Sequence, residues 1–116
     1  MSRGDLEKVG IIGAGKIGGS LLLRLAESGD FDLGVSDIHP DHLEPYAKNY
    51  GVRTTSSNRE VAQTSDLLII AVKPWDVAQV LEEISPTLDG TNKAITSVAA
   101  GVSISRIAER AFFNQL

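Results

Sequence analysis

The hydrophobic pattern of the chain switches between two periods. Lys8 to Gly13 (KVGIIG) is a short apolar run ending on glycine, a strand signal. Gly18, Leu21, Leu22 and Leu25 then recur at i, i+3, i+4 and i+7, one face of a helix, and Gly29 stands where such a helix stops. Phe31 to Ser36 (FDLGVS) predicts a second strand. Pro40 is expected to open a helix with Leu43, Tyr46, Ala47 and Tyr50 on one face, closed by Gly51. Val52 to Thr55 is a third strand. Ser57 to Glu60 (SNRE) has the spacing of a capping box. In such a box the Ser57 hydroxyl accepts from the Glu60 amide, and the Glu60 carboxylate returns to the Ser57 amide. The short helix it starts should run to about Thr64. Asp66 to Val72 (DLLIIAV) predicts the fourth strand, and Asp76 to about Ser85 a helix with Val77, Val80, Leu81 and Ile84 inward. Lys93 to Val98 (KAITSV) is the fifth strand. Ser103 caps a last helix carrying Ile104, Ile107, Ala108 and Ala111.

Strand and helix thus alternate five times, which argues for a parallel sheet between helices. The fourth strand is apolar on both faces, as a central parallel strand is. The expected fold is α/β, a Rossmann-type doubly wound parallel sheet of five strands, order 3-2-1-4-5, with helices on both faces.

Composition narrows the class. The 116 residues suffice for a single domain, 1–116, without a linker or repeat. The formal charge is −4, and no block of Lys or Arg breaks it, so no nucleic-acid footprint is present. The chain has no cysteine, hence no disulfide frame and no thiolate metal site, which fits a reducing compartment. The polar start MSRGDLEK lacks a signal core, and the longest apolar run falls far short of the ~20 residues that span a bilayer. The expectation is a soluble cytoplasmic protein with no membrane partner.

The strand–glycine–helix junction carries the first chemistry. It holds Gly13-x-Gly15-x-x-Gly18, directly after a strand and opening an amphipathic helix. In that context Gly13 allows the tight turn, Gly15 lets a pyrophosphate approach the backbone, and Gly18 permits close helix packing. The freed amides of Lys16 and Ile17 lie at the helix N-terminus, where the dipole favours an anion. The plain alternative is a turn with spare glycines. Lys16 could reach a phosphate or point into solvent.

An acid is expected about 20 residues on, at the end of the second strand, to receive the ribose hydroxyls. Asp37 stands there. Its carboxylate would repel a 2′-phosphate, and the turn SDIHPDH offers no Arg or Lys to hold one. Only His39 and His42 could be cationic, and imidazoles are mostly neutral at pH 7. The cofactor is therefore NAD(H) or NADP(H), with the turn pointing towards NAD(H). Asp37 could also be a plain helix-capping residue, and Ser36 or a backbone amide could still hold a phosphate. The two histidines with Asp41 also suggest a metal, but no further ligand cluster supports one; a solvated helix start is the preferred reading.

The stretch AVKP (Ala71, Val72, Lys73, Pro74) ends the fourth strand at the edge where doubly wound sheets bind ligands. Pro74 suits the first position of a helix and holds Lys73 extended. The fifth strand ends on Ala99, Ala100 and Gly101, small enough for a ring to pack on backbone. Ordinary strand-end turns are the alternative for both loops.

Together GAGKIG, SNREVAQTSDLLIIAVKP, VLEEI and SVAAGVSI resemble pyrroline-5-carboxylate reductase over Val9 to about Ala111. The resemblance implies that Gly13, Ala14, Gly15, Lys16, Ile17 and Gly18 hold the pyrophosphate. It implies that Ser36 and Asp37 meet the adenosine ribose, and that Asn58 contacts the cofactor. It places Ala71 to Pro74 and Ala99 to Gly101 beside the nicotinamide, with their backbone as the working part and Lys73 not required for catalysis. Many members of that family carry Asn or Gln where Lys16 stands and prefer NADPH. Trp75 either shields the nicotinamide pocket or packs beside the next helix.

In that family a further strand and a helical dimerisation and substrate domain follow. The resemblance therefore implies a cofactor-binding domain that binds a dinucleotide, meets the small imine substrate only with the missing domain, and has little or no reductase activity alone. The fifth strand would be an exposed edge, and self-association through it is expected. Two other readings stay open: a standalone NAD(P)-binding regulatory module, or the nucleotide domain of a deazaflavin-dependent NADP reductase or a 3-hydroxyacid dehydrogenase.

Overall fold

The computed structural model describes residues 6–88 and 93–98. The order is β1 (Glu7–Ile12), α1 (Lys16–Ser28), β2 (Phe31–Ser36), a 3-10 turn (Pro40–His42), α2 (Glu44–Tyr50), β3 (Arg53–Thr55), α3 (Asn58–Gln63), β4 (Leu67–Ile70), a 3-10 turn (Pro74–Asp76), α4 (Val77–Leu88) and β5 (Ala94–Ser97). The five strands form one sheet in the order β3-β2-β1-β4-β5, every pair parallel. The predicted fold class and strand order are both borne out.

Alternation along the strands builds two cores. Val9, Ile11, Leu33, Val35 and Ile69 point to one face and pack with Leu22 of α1 and Leu43. Ile12, Leu68 and Ile70 point to the other face, against Val61 and Ala62 of α3 and Val77, Val80, Leu81, Ile84 and Leu88 of α4. Consecutive residues Ile11 and Ile12 therefore serve different cores, as a strand buried on both faces requires.

Three local expectations change. The helix expected from Pro40 begins a turn later: Pro40–His42 is 3-10, α2 starts at Glu44, and none of its residues is fully buried. Leu43 is buried ahead of it, whereas Ala47 and Tyr50 face solvent. The capping box closes by a detour. Ser57 Oγ accepts from the Glu60 amide at 3.2 Å, but the Ser57 amide donates to Thr55 Oγ1 at 3.0 Å, and that hydroxyl donates to Glu60 Oε2 at 2.9 Å. Finally, α4 runs past Ser85 through Pro86 to Leu88. A proline leaves the carbonyl four residues back without its helical donor. Here that carbonyl, Glu82 O, accepts from Ser85 Oγ at 3.1 Å. The predicted last helix from Ser103 and the end of the fifth-strand loop lie outside the described residues.

Gly10, in the middle of β1, received no role from the sequence. A Cβ there would collide with Ser65 Oγ and lie 2.6 Å from Val61 Cγ1, so its absence lets α3 approach the sheet. Gly10→Ala should lower unfolding free energy in urea by about 1–3 kcal/mol, the usual cost of overpacking. A loss of only a few tenths would show that α3 shifts freely.

Candidate functional site

The carboxyl ends of β1, β2 and β4 are drawn together by backbone bonds. The Gly13 amide donates to Ser36 O at 2.8 Å, and the Ala71 amide to Ile12 O at 2.8 Å. Gly13 has φ +100°, and a Cβ there would lie 2.8 Å from the Ala71 carbonyl oxygen. A Cβ on Gly18 would run into the Gly13 carbonyl and approach Ala71 Cβ at 3.0 Å. The turn, the start of α1 and the end of β4 thus share a space with no room for side chains. Gly18's close approach, expected towards the strand, is made to the turn and to Ala71. Gly19 adds a contact the sequence did not suggest, because a Cβ there would sit 2.6 Å from the Tyr46 hydroxyl of α2.

Gly15 differs. A Cβ on it would meet nothing within 4 Å, and its φ of −73° suits any residue. Packing does not demand glycine there; the space above it is open. Gly15 is the N-cap of α1 and provides no side-chain cap, and no acid lies in the first turn. Lys16 and Ile17, both exposed, follow it, so the positive end of α1 faces that open space. This arrangement can receive an anionic group on backbone amides.

Asp37 lies beside it. Its side chain is only 7 % exposed and is fixed at both oxygens. Oδ2 accepts from the Ala14 amide and Oδ1 from the His39 amide, each at 2.7 Å. His42 Nδ1 lies 3.4 Å from Oδ2. Burial raises the carboxyl's pKa, but the His39 and Ala14 amides and His42 together outweigh it, and the net shift is below the ordinary value of 3.8. Asp37 is therefore an anchored carboxylate that ties β2 to the glycine turn. Each carboxylate oxygen has two lone pairs, so further acceptor capacity remains for a hydroxyl.

Ser36 is fully buried, and its hydroxyl donates to Asn58 Oδ1 at 2.6 Å. The Asn58 amide nitrogen in turn reaches Glu83 Oε2 at 3.4 Å. The Ser36 hydroxyl thus faces inward, joining β2 to α3, and is not turned to the crevice. On the other side of the turn, Ala71, Val72 and Pro74 are half-buried and Lys73 is exposed. Lys73 is extended at φ −62°, ψ 150°, and its carbonyl accepts from the Asp76 amide at 2.9 Å. Trp75 does not pack beside the following helix: it is 77 % exposed. Ala99, Ala100 and Gly101 lie outside the described residues. The structure thus gathers Gly13 to Gly18, Ser36, Asp37 and Ala71 to Pro74 at one edge of the sheet. The links from Asp37 to His42 and from Asn58 to Glu83 were not read from the sequence; a five-residue spacing across a proline turn marks no standard motif. Among the described residues no group of three or more His, Cys, Asp or Glu could hold a metal ion, and no helix is long and apolar enough to cross a membrane.

Residues 8–101 match the family model described as NADP oxidoreductase, coenzyme F420-dependent. Among curated proteins, the chain is 33 % identical over 102 residues to pyrroline-5-carboxylate reductase from Methanosarcina acetivorans, covering 85 % of this chain and 37 % of that protein. Among solved structures, a pyrroline-5-carboxylate reductase from Coxiella burnetii is 28 % identical with a TM-score of 0.84, covering 92 % of this chain and 40 % of that one. Plasmodium falciparum pyrroline carboxylate reductase with NADP bound is 26 % identical with a TM-score of 0.73, over 95 % and 39 %. The chain spans about two fifths of the length of these relatives.

The Asp37 anchor makes a stability prediction. Asp37→Asn loses one amide acceptor and should cost about 1 kcal/mol near neutral pH, a few degrees in Tm. A depressed pKa contributes stability above 3.8, lost as pH falls through the lower native value. The gap between wild type and Asp37→Asn, followed by thermal unfolding, should therefore narrow as pH falls below about 4. A gap independent of pH would mean that the carboxylate's charge contributes nothing.

Proposed function

Because the chain belongs to the family described as NADP oxidoreductase, coenzyme F420-dependent, we propose that it is the dinucleotide-holding domain, residues 1–116, of a pyrroline-5-carboxylate reductase. The observation that carries this is the open space over Gly15 beside the anchored Asp37 carboxylate. Packing explains Gly13 and Gly18 fully, whereas Gly15 is explained only by something that must approach the backbone. The Plasmodium relative, solved with NADP, supports a nicotinamide dinucleotide as that ligand.

When bound, the nicotinamide supplies a hydride for the C=N carbon of the cyclic imine, a proton is added at nitrogen, and proline results. The residues of this chain bind and orient. The amides of Gly15, Lys16 and Ile17 receive the pyrophosphate. Asp37 takes the adenosine ribose through its spare lone pairs. Ser36 acts from behind, holding Asn58 at the start of α3. The backbone of Val72 to Pro74, and of Ala99 to Gly101 beyond the described residues, is assigned to the nicotinamide half. Walls around the substrate come from outside these residues, so turnover of the imine belongs to the longer protein.

Between the two dinucleotides, the chemistry beside Asp37 favours NAD(H). A 2′-phosphate would meet the ionised Asp37 and the exposed Asp41, and no Lys or Arg lies between Arg24 and Lys48. Arg53 of β3 is engaged elsewhere, with Nε 3.3 Å from Asp32 Oδ1.

Calorimetric titration tests the reading. NADH should bind saturably, and more tightly than NADPH at pH 8. Gly15→Val should fold with stability within about 1 kcal/mol of wild type, since its Cβ meets no atom, yet weaken NADH at least roughly tenfold. Unchanged affinity in a folded Gly15→Val would sink the assignment of the turn.

A further inference from the structure

The segment between Asp37 and α2 carries two imidazoles that the proposed function leaves unused. They are not dispersed. His42 Nδ1 lies 3.4 Å from Asp37 Oδ2, the His39 and His42 ring centroids are 5.1 Å apart, and the His39 amide holds the other Asp37 oxygen. The His42 side chain is 45 % exposed, so the ring borders solvent beside Asp37. The acid that receives a 2′-hydroxyl marks the place a 2′-phosphate would occupy. A group within hydrogen-bonding range of that acid reaches the same place.

The surrounding charges make the imidazoles decisive. The segment itself contributes Asp37 and Asp41, and α2 contributes Glu44 in its first turn and Lys48 in its last. At its first turn α1 contributes the exposed Lys16. Arg53 of β3 is paired with Asp32. On these elements the acids Asp37, Asp41 and Glu44 outnumber the cations Lys16 and Lys48, and that balance changes sign only if the histidines are protonated.

We propose that His42, with His39 beside it, is the specificity-determining residue through which this chain's choice between NADH and NADPH depends on pH. With neutral imidazoles Asp37 rejects a 2′-phosphate. An imidazolium at His42 offsets the Asp37 charge and donates to that phosphate. The inference rests on the dinucleotide reading above.

The test is calorimetric titration of the 116-residue chain with NADH and with NADPH at pH 8 and pH 6. In wild type the ratio of Kd for NADPH to Kd for NADH should fall by roughly tenfold from pH 8 to pH 6. The 2′-phosphate of free NADPH also titrates near pH 6, and His42→Asn reports how much of the fall that titration carries. In His42→Asn the fall should shrink to about threefold or less. In His42→Lys, whose charge is permanent, the ratio at pH 8 should already approach the wild-type value at pH 6. An equal fall in wild type and His42→Asn overturns the inference while leaving the dinucleotide site standing. Failure of NADH to bind at either pH removes both. Circular dichroism confirms that each variant is folded before its ratio is read.

Discussion

Everything at the carboxyl edge depends on one steric constraint: three chain segments meet where only backbone fits. The Gly13 carbonyl, the start of α1 at Gly18 and the Ala71 carbonyl occupy one small volume; a Cβ at Gly18 would push α1 off the turn, and one at Gly13 would push the turn off the end of β4. Because they fit, the N-terminus of α1 is brought over the end of β1 and beside the end of β2. The Ala14 amide can then reach Asp37, and the carboxylate ties the turn to β2. Without that approach the positive end of the helix and the anchored acid would not share a crevice. The site is a consequence of packing before it is a matter of chemistry.

Much of this was legible because it follows from rules that act on neighbouring residues. Short apolar runs located the strands, and glycine with a positive φ ended the helices at Gly29 and Gly51. The strand order followed from the alternation and from crossover handedness. The departures arose where a side chain from another position satisfied a backbone group. Thr55 intercepts the Ser57 amide that Glu60 was expected to cap. Ser85 satisfies the carbonyl that Pro86 orphans, so the helix continues where a proline should have ended it. Such exchanges depend on distances across turns, which periodicity does not encode. The same is true of His42: its nearness to Asp37 is produced by the 3-10 turn that replaced the expected first turn of α2.

The opposite half of the crevice shows how a sequence signature can act through its main chain. Ala71 matters as a carbonyl against Gly13 and as a small side chain against Gly18. Lys73 projects into solvent while its carbonyl closes the turn that starts α4. Pro74 fixes that turn's direction. None of these tasks requires the lysine ammonium, so its chemistry is available to whatever lies across the crevice.

The flank that carries Asp37 is also thinly packed. The edge strand β3 has three residues, paired only with Gly34 to Ser36, and α2 buries no residue completely. Local opening free energy follows burial and pairing, so amide exchange should be fastest across α2 and β3 and slowest in β1 and β4. Asp37 joins that flank through its own amide, which donates to Thr55 O at 3.3 Å. A ligand held by Asp37 would therefore rest on a thinly packed edge of the described fold and add its binding energy there. By mass action, binding of any ligand at Asp37 and closure of this edge would become one equilibrium.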